Sequence, residues 1–429
     1  MQSSKWVTLM FGALCLVLVA AAVNAQHLYY MAAILLVLPG VSYALGWFAL
    51  RGLEFRRELP ATAWQGEQGE IVYVVHNRSQ VSRYFLSVHA SLPPWIEPLE
   101  PEAPLFNVGA GETTRIPVAV RFERRGVYRV KGFEATAMDP LGVFAFTRKI
   151  PCEGELVVYP TPEPMRTMSM TGEGRYGWQE MMTTLNRGHG VDFHGVREYT
   201  PGDSLRRIHW RQTARTGKMS VIEFEEPEAV SVAIVLDLQR GTEVGEGKET
   251  TLEYSVRFAA SLAYLAITQG ASVQLITSTD ASRDPTTESV LRAAALPGRG
   301  QTHLFTLLDA LARVQAESLL PAAELALQAL HAVPRGTTVV VLTARADHRL
   351  AETLGQYTLN GASVVAVYVD PDSFNDRSTP ARHHSPAEFL TALLAAGVHP
   401  FLLSRHPEGQ LIPEAVQDVH YAIPQPVAS

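Results

Sequence analysis

From Trp6 to Leu50 the chain carries no Asp, Glu, Lys or Arg. One bilayer crossing needs about 20 apolar residues, so the run is long enough for two. The polar break Asn24, Ala25, Gln26 and His27 divides it into WVTLMFGALCLVLVAAAV and LYYMAAILLVLPGVSYALGWFAL. The spacing predicts helices over about residues 6–23 and 28–50, a two-helix transmembrane hairpin occupying residues 1–50. Pro39-Gly40 in the second helix is a kink that a membrane helix tolerates. Lys5 precedes the first helix, Arg51, Arg56 and Arg57 follow the second, and the connection has neither Lys nor Arg. The positive-inside rule then puts both ends, and everything after residue 50, in the cytoplasm of a multi-pass membrane protein. A cleaved leader ending near Val23-Asn24-Ala25 is a second reading, which leaves one crossing with the same orientation, and a buried soluble hairpin is a third.

The whole chain has 429 residues, room for several structural units, and 47% of them are hydrophobic, which excludes wholesale disorder. A net charge of -7 argues against a general nucleic-acid coat, and no nucleic-acid partner is expected. With only Cys15 and Cys152, a disulfide framework, a Cys-rich zinc site and a CxxC redox pair are absent.

Residues 51–160 are expected to form a β-sandwich module, because EIVYVVHN, RYFLSVHA, TTRIPVAVRF, GVYRVKGFEATA and FAFTRKI are short β-branched and aromatic runs separated by turn residues. Residues 161–192 are a linker rich in Met and Gly. Its one GxGxxG, Gly172 to Gly177, has no strand leading into it and no βαβ context, so it is a loop. Residues 193–429 hold a charged segment followed by alternating strands and helices: VSVAIVLD, LEYSVRFAASLAYLAITQG, ASVQLITS, HLFTLLDALARVQ, Pro321 to Ala332, TTVVVLT, a helix near Leu350, ASVVAVYVD, Pro386 to Ala396 and VHPFLLS. That alternation implies a doubly wound parallel sheet, Rossmann-type, with function at the carboxyl ends of its strands.

The densest chemical signal is FHGVREYTPGDSLRRIHWRQTARTGKMSVIEFEEPE, residues 193–228. Asp203 or Ser204 is placed to cap a helix over 204–215, closed by Gly217. Arg207, Arg211 and Arg215 then recur every four residues along one stripe, with Trp210 beside Arg206. Two readings stand. Guanidinium groups there can bind a partner's carboxylates or phosphates, including anionic lipid headgroups; or they pair with Glu223, Glu225, Glu226 and Glu228 and clamp helix to strand.

The stretch VREYTPGDSLRRIHWRQTARTGKMSVIEFEEPEAVSVAIVLD resembles the signature of the bacterial domain of unknown function fifty-eight family. The resemblance extends to Arg125-Gly126-Val127-Tyr128 and Asp139-Pro140-Leu141-Gly142-Val143-Phe144 in the β-module. It implies a von Willebrand factor A-like α/β domain behind a membrane hairpin and a β-module, and a non-enzymatic adaptor or scaffold whose protein partner is a MoxR-type AAA+ ATPase. On this reading the partner-binding residues are Arg197, Tyr199, Asp203, Arg206, Arg207, Trp210, Arg211 and Arg215.

An A domain holds Mg²⁺ through an Asp-x-Ser-x-Ser run, a loop Thr and a later Asp, since a hard cation needs oxygen ligands. The corresponding positions here are Asp237, Gln239, Gly241, Thr302 and Thr343, with Arg345 following where the last carboxylate is expected. Two oxygen donors survive and Arg240 and Arg345 bring positive charge, so the site reads as degenerate, with no cofactor and no metal, and with Asp237 pairing an arginine or capping the next loop. The strand-end mouth around Asp237, Thr302 and Thr343 remains a second partner surface. Gly245-Glu246-Gly247-Lys248 lacks the spacing of a phosphate-binding loop and reads as an exposed flexible loop, and His383-His384 with Asp370, Asp372 and Asp376 has no metal-ligand spacing. The rival from another class is an envelope-associated hydrolase using Asp203, His194 or His209; direct binding of anionic lipid by the arginine stripe is the third reading.

Overall fold

The computed structural model describes residues 3–23, 25–100, 104–139, 142, 144–163, 193–200, 208–224, 231–278, 284–330, 333–334, 336–374, 386–406, 411 and 413–416. The chain divides into two compact units, Met1–Tyr159 and Pro160–Ser429.

Unit one begins with two helices, α1 (Ser3–Val23) and α2 (Gln26–Ala49), packed on each other. The interface uses small residues: Ala13, Ala20 and Ala32 are buried, and a Cβ on Gly12 would lie 3.8 Å from Leu35 Cδ2. Close backbone approach of this kind is how apolar helices associate when lipid-like surroundings remove the hydrophobic drive. At 24 residues with mean hydropathy 1.8, α2 is long and apolar enough to cross a membrane, despite Pro39 within it.

Among the described residues the rest of unit one holds nine strands: β1 (Leu53–Glu58), β2 (Ala63–Trp64), β3 (Gln68–Asn77), β4 (Arg83–Ala90), β5 (Ile96–Pro98), β6 (Phe106–Val108), β7 (Thr113–Phe122), β8 (Gly126–Met138) and β9 (Ala145–Tyr159). They form one sheet of order β1-β3-β7-β5 and another of order β2-β9-β8-β4-β6. Alternation sets the core. Ile71, Tyr73 and Val75 of β3 and Ile116, Val120 and Phe122 of β7 meet Leu86 and Val88 of β4 and Phe133, Ala135 and Ala137 of β8. The five predicted strand runs all lie in strands, while β1, β2, β5 and β6 were not anticipated. β1 hides because LEFRRE contains two arginines. Arg57 is drawn into the module, where Nη2 donates to the carbonyls of Val130 (2.9 Å) and Cys152.

Asn77 closes β3 from a fully buried position. Its Nδ2 donates to the carbonyls of Val81 and Gly109 (both 2.9 Å), and its Oδ1 accepts from the N–H and hydroxyl of Ser79 (3.0 and 2.7 Å). One amide therefore folds the 78–81 loop onto the β6–β7 turn.

Unit two carries a two-stranded antiparallel ribbon, β10 (Phe193–Glu198) with β11 (Ser220–Phe224), enclosing the short helix α3 (Trp210–Thr216). Beyond it come β12 (Ser231–Leu236), a small hairpin β13 (Gly245–Glu246) and β14 (Glu249–Thr250), and α4 (Thr251–Thr268). Next follow β15 (Ser272–Ile276), α5 (Pro285–Ala294), α6 (Gly300–Arg313), α7 (Ala322–Ala329), β16 (Thr338–Thr343), α8 (His348–Leu359), β17 (Ser363–Val369), α9 (Pro386–Ala395), β18 (His399–Leu403) and β19 (Pro413–Ala415). The sheet order is β15-β12-β16-β17-β18-β19, parallel except for the last pair. Alternation again divides the faces: Ala233 and Val235 of β12 pack with α7, α8 and α9, and α4 contacts β12, β15, β16 and β17. Helices on both sides explain why the strands read as continuous apolar runs.

Two expectations change, one helix was not anticipated, and two expectations lie outside the described residues. The helix expected over 204–215 starts at Trp210, because Ile208 pairs in a β-bridge with Val221 and His209 is the cap. Helix α5 was missed. The Gly245 to Lys248 stretch is a tight hairpin rather than a flexible loop, with Gly245 and Gly247 in the left-handed region. The linker, including Gly172 to Gly177, and the His383-His384 pair with Asp376 lie outside the described residues.

Replacing Asn77 with Ala takes their shared partner from the Val81 and Gly109 carbonyls and the Ser79 N–H, so Asn77→Ala is expected to destabilise unit one by about 1–3 kcal/mol. Thermal unfolding of the detergent-solubilised protein checks this; an unchanged Tm would mean that the amide is replaceable.

Candidate functional site

The carboxyl end of a parallel sheet is where its strands leave the ladder, and the point where the chain order reverses is open to ligands. Here the reversal lies between β12 and β16, since β12 is flanked by β15 on one side and β16 on the other. Asp237 follows β12 and Thr343 ends β16. The Thr343 hydroxyl donates to Asp237 Oδ2 (2.8 Å), while the Gln239 N–H donates to Asp237 Oδ1 (2.9 Å). The backbone joins them too, with Asp237 N–H on the Leu342 carbonyl (2.9 Å). Both oxygens of Asp237 thus hold the fold together, and the residue is 6% exposed.

The loop beyond it is equally committed. The Thr242 hydroxyl donates to the Gln239 carbonyl (2.7 Å), and the Arg240 N–H donates to the Ser318 carbonyl (2.7 Å). Gly241 turns the chain at φ +86, a conformation costly for a residue with a Cβ. Arg240 and Arg345 are exposed at the rim. Ser278, two residues past β15, has a buried hydroxyl with no partner among the described residues.

Thr302 does not join this mouth. It sits in the first turn of α6, whose neighbouring His303 lies 2.7 Å from the Val273 carbonyl through Nε2. Val273 pairs with Val232, near the start of β12, so Thr302 lies toward the opposite end of the sheet from Asp237. The expected five-position set comes together only as Asp237, Gln239, Gly241 and Thr343. Of the two alternatives for Asp237, the structure shows loop capping. Among the described residues no group of three His, Cys, Asp or Glu side chains is placed to hold a metal ion.

Burial raises the Asp237 carboxyl above the usual carboxylate range; the hydrogen bonds from Gln239 and Thr343 and the charge of Arg345 oppose this, and Asp347 adds to it. Asp370, just past β17, is raised for the same leading reason, burial, with the Asp372 N–H bond opposing and the Asp372 charge adding.

The second surface is α3. β11 pairs with β10 along one edge, and on the other the His209 N–H donates to the Ser220 carbonyl (2.8 Å). His209 Nδ1 accepts from the Gln212 N–H (3.0 Å), so the ring caps the helix, and Gly217 at φ +72 ends it. The Thr213 hydroxyl accepts from the Ser220 N–H (3.1 Å), fixing helix to ribbon. This scaffold presents Trp210, 68% exposed, with Arg211 and Arg215 exposed one turn apart. Tyr199 is half-buried and its N–H bonds the Met219 carbonyl (2.8 Å). Arg197 lies in β10, opposite Val221. Asp203, Arg206 and Arg207 lie outside the described residues, as do Glu225, Glu226 and Glu228 and the side chains of His194, Arg197 and Glu223. The arginine stripe is therefore described only at Arg211 and Arg215. Of the acid–base candidates, His209 is occupied as a cap.

Residues 195–376 match the family model described as Protein of unknown function DUF58. This is the family that the signature residues resemble. No curated protein matches the chain. Among solved structures, the PapD-like domain 7 of human CEP192 is similar at 13% identity and TM-score 0.18, covering 25% of this chain and 86% of that one. A protein of unknown function from Porphyromonas gingivalis is similar at 16% identity and TM-score 0.19, covering 25% and 48%. Trypsin-activated alpha-2-macroglobulin from Escherichia coli is similar at 11% identity and TM-score 0.21, covering 72% and 20%. At these TM-scores the likenesses carry no argument about this chain.

A raised carboxyl binds its proton more tightly when folded. Its stabilising contribution is complete below the unfolded pKa and is lost as pH rises through the folded one. Asp237→Asn keeps an acceptor for Gln239 and removes the buried charge. The variant is expected to melt higher than the native chain above the usual carboxylate range and to lose that part of the pH dependence. Melting curves across pH, with and without Mg²⁺, check this; a Tm rise with Mg²⁺ in the native chain alone would make Asp237 a cation ligand instead.

Proposed function

We propose, for a chain of the domain of unknown function fifty-eight family, the role of a non-enzymatic adaptor anchored in the bacterial inner membrane by α1 and α2. Both soluble parts stand on the cytoplasmic side, and unit two is a degenerate von Willebrand factor A-like domain that docks a protein. By the family resemblance that partner is a MoxR-type AAA+ ATPase.

The observation that carries the docking role is Trp210. A tryptophan left in solvent on a helix pinned by a ribbon, a cap and a left-handed glycine is an anchor held in place before its partner arrives, and Trp and Arg dominate the binding energy of interfaces. Docking is assigned to α3 rather than to the strand-end mouth because Asp237 and Thr343 are buried under their own loop. The same burial supports a domain that binds without a metal: a carboxylate whose oxygens cap a loop and hold a neighbouring strand is poorly placed to ligate a cation. The topology is supported by Lys5 ahead of α1 and Arg51 and Arg56 after α2, with no Lys or Arg between the helices.

Losing a central aromatic anchor costs about 2 kcal/mol or more, roughly 30-fold in Kd. The solubilised full-length protein is expected to recover an AAA+ ATPase in an affinity pull-down. A Trp210→Ala, Arg211→Glu, Arg215→Glu variant of equal Tm should lose it. Full recovery by the variant would move the interface away from α3, and failure of either protein to recover any partner would sink the adaptor role.

A further inference from the structure

Where α2 runs into the β-module, unit one displays an unusual run of exposed rings. Tyr84 and Phe85 begin β4 at 56% and 43% exposure, and Val81 in the loop before them is 62% exposed. On a regular strand, neighbouring side chains point to opposite faces, and one of the two rings would be in the core. Here the ladder from β4 to β6 breaks between Arg83 and Leu86, and Phe85 sits at φ +56, which turns both rings outward. A bulky residue in the left-handed region costs about 1–3 kcal/mol, and such strain persists where the surroundings impose it and often where a function uses it.

The rings stand beside α2. Leu86 pairs with Ala137, the last rung of this ladder, so Phe85 and Tyr84 continue beyond it on the side where β8 runs on to Met138 and Asp139. Asp139, buried, accepts a hydrogen bond from the Ser42 hydroxyl of α2, and Phe144 and Phe146 meet Tyr43 edge-on with centroids 5.5 and 5.1 Å apart. Behind the rings Trp47 and Phe48 are exposed on α2, Arg51 lies over the Trp47 ring at 3.5 Å, and Arg83 Nη2 donates to the Arg51 carbonyl (3.2 Å). Arg78 nearby is exposed and pairs with Glu54 (2.6 Å).

Two independent markers set the depth of this collar. A span of about 20 residues beginning at Gln26 ends near Leu45. In the hairpin, Gly12 packs against Leu35, and Lys5 precedes Gly12 by as many residues as Ser42 follows Leu35, so the helix backbone at Lys5 comes level with Ser42. Both place the membrane boundary where Ser42 meets Asp139. Aromatic rings and arginines at that height are the composition of a membrane–water interface, where rings sit among headgroups and guanidinium groups meet phosphates.

We infer that Val81, Tyr84 and Phe85, with Trp47, Phe48 and Arg51, form a collar seated in the headgroup layer of the bilayer, so that the β-module rests on phospholipid. The inference depends on α2 crossing the membrane, as proposed above.

The test uses the full-length chain with Cys15 and Cys152 replaced by Ser and one new cysteine carrying an environment-sensitive fluorophore. The positions are Leu36→Cys within α2, Phe85→Cys or Tyr84→Cys in the collar, and Gln68→Cys at the far end of β3. The proteins are reconstituted in vesicles of phosphatidylcholine and phosphatidylglycerol containing either a lipid with a spin-label quencher at the headgroup or one with the quencher deep in its acyl chains. The label at residue 36 is expected to lose most of its emission to the deep quencher and those at residues 84 and 85 to the headgroup quencher, while the label at residue 68 keeps its emission with both. Quenching at residue 36 with emission at 84 and 85 as full as at 68 overturns the collar and leaves the anchor standing. No quenching at residue 36 removes the anchor and the collar with it.

Discussion

A parallel sheet covered on both faces has one recurring difficulty: at the end of each strand the backbone leaves the ladder, and its polar groups must find partners without water. Three adjacent strands of unit two answer it in the same way. The side chains of Asp237, Thr343 and Asp370 each accept from the N–H two residues ahead, at 2.9, 3.1 and 3.1 Å. Small oxygen-bearing side chains suit this turn because they reach their own backbone at short range. Thr343 adds a second bond, to Asp237, which ties the strands on either side of the reversal. The loops carrying the strand-end chemistry are shaped by these bonds before any ligand is considered.

Unit one is organised by a different constraint, close approach of an apolar helix to a sheet. Gly46 of α2 lies where a Cβ would stand 2.6 Å from the Phe146 ring, so glycine is required for the contact. Ser42 satisfies Asp139 beside it, and Ala49 and Leu50 enter the core shared by the two sheets. The helix end and the β-module are continuous in packing, which makes the position of the module relative to α2 a property of the core rather than of a linker.

Periodicity made much of this legible. Long apolar runs marked α1, α2 and the parallel strands, and alternation marked β3, β4, β7 and β8. What escaped did so for physical reasons. β1 contains Arg57, whose Nη2 donates to carbonyls that only the fold brings near. The ribbon of β10 and β11 is too short and too charged to show alternation, and its pairing to Ile208 displaces the start of α3 by a turn and a half from the expected helix. α5 did carry a signal: Asp284 accepts from the Thr286 N–H at 3.1 Å, and Pro285 follows at the first helical position, a start sequence that propensity arguments favour. Thr302 was misplaced because a threonine after a glycine reads equally well as a loop ligand and as the opening of a helix, and only the His303 contact to Val273 decides which end of the sheet it occupies.

Asp237 shows how a residue type can fit a family's functional pattern for a structural reason. An aspartate at the end of the first parallel strand has two uses open to it: ligating a cation with the help of hydroxyls on the same loop, or capping that loop itself. The second needs one nearby N–H and one neighbouring hydroxyl, and both are present in Gln239 and Thr343. Where Gly241 has taken the left-handed turn, a serine side chain would strain the backbone, so the loop that makes the cap is one that a ligand hydroxyl disfavours. The end of the strand gives this aspartate a structural use in which both of its oxygens are engaged.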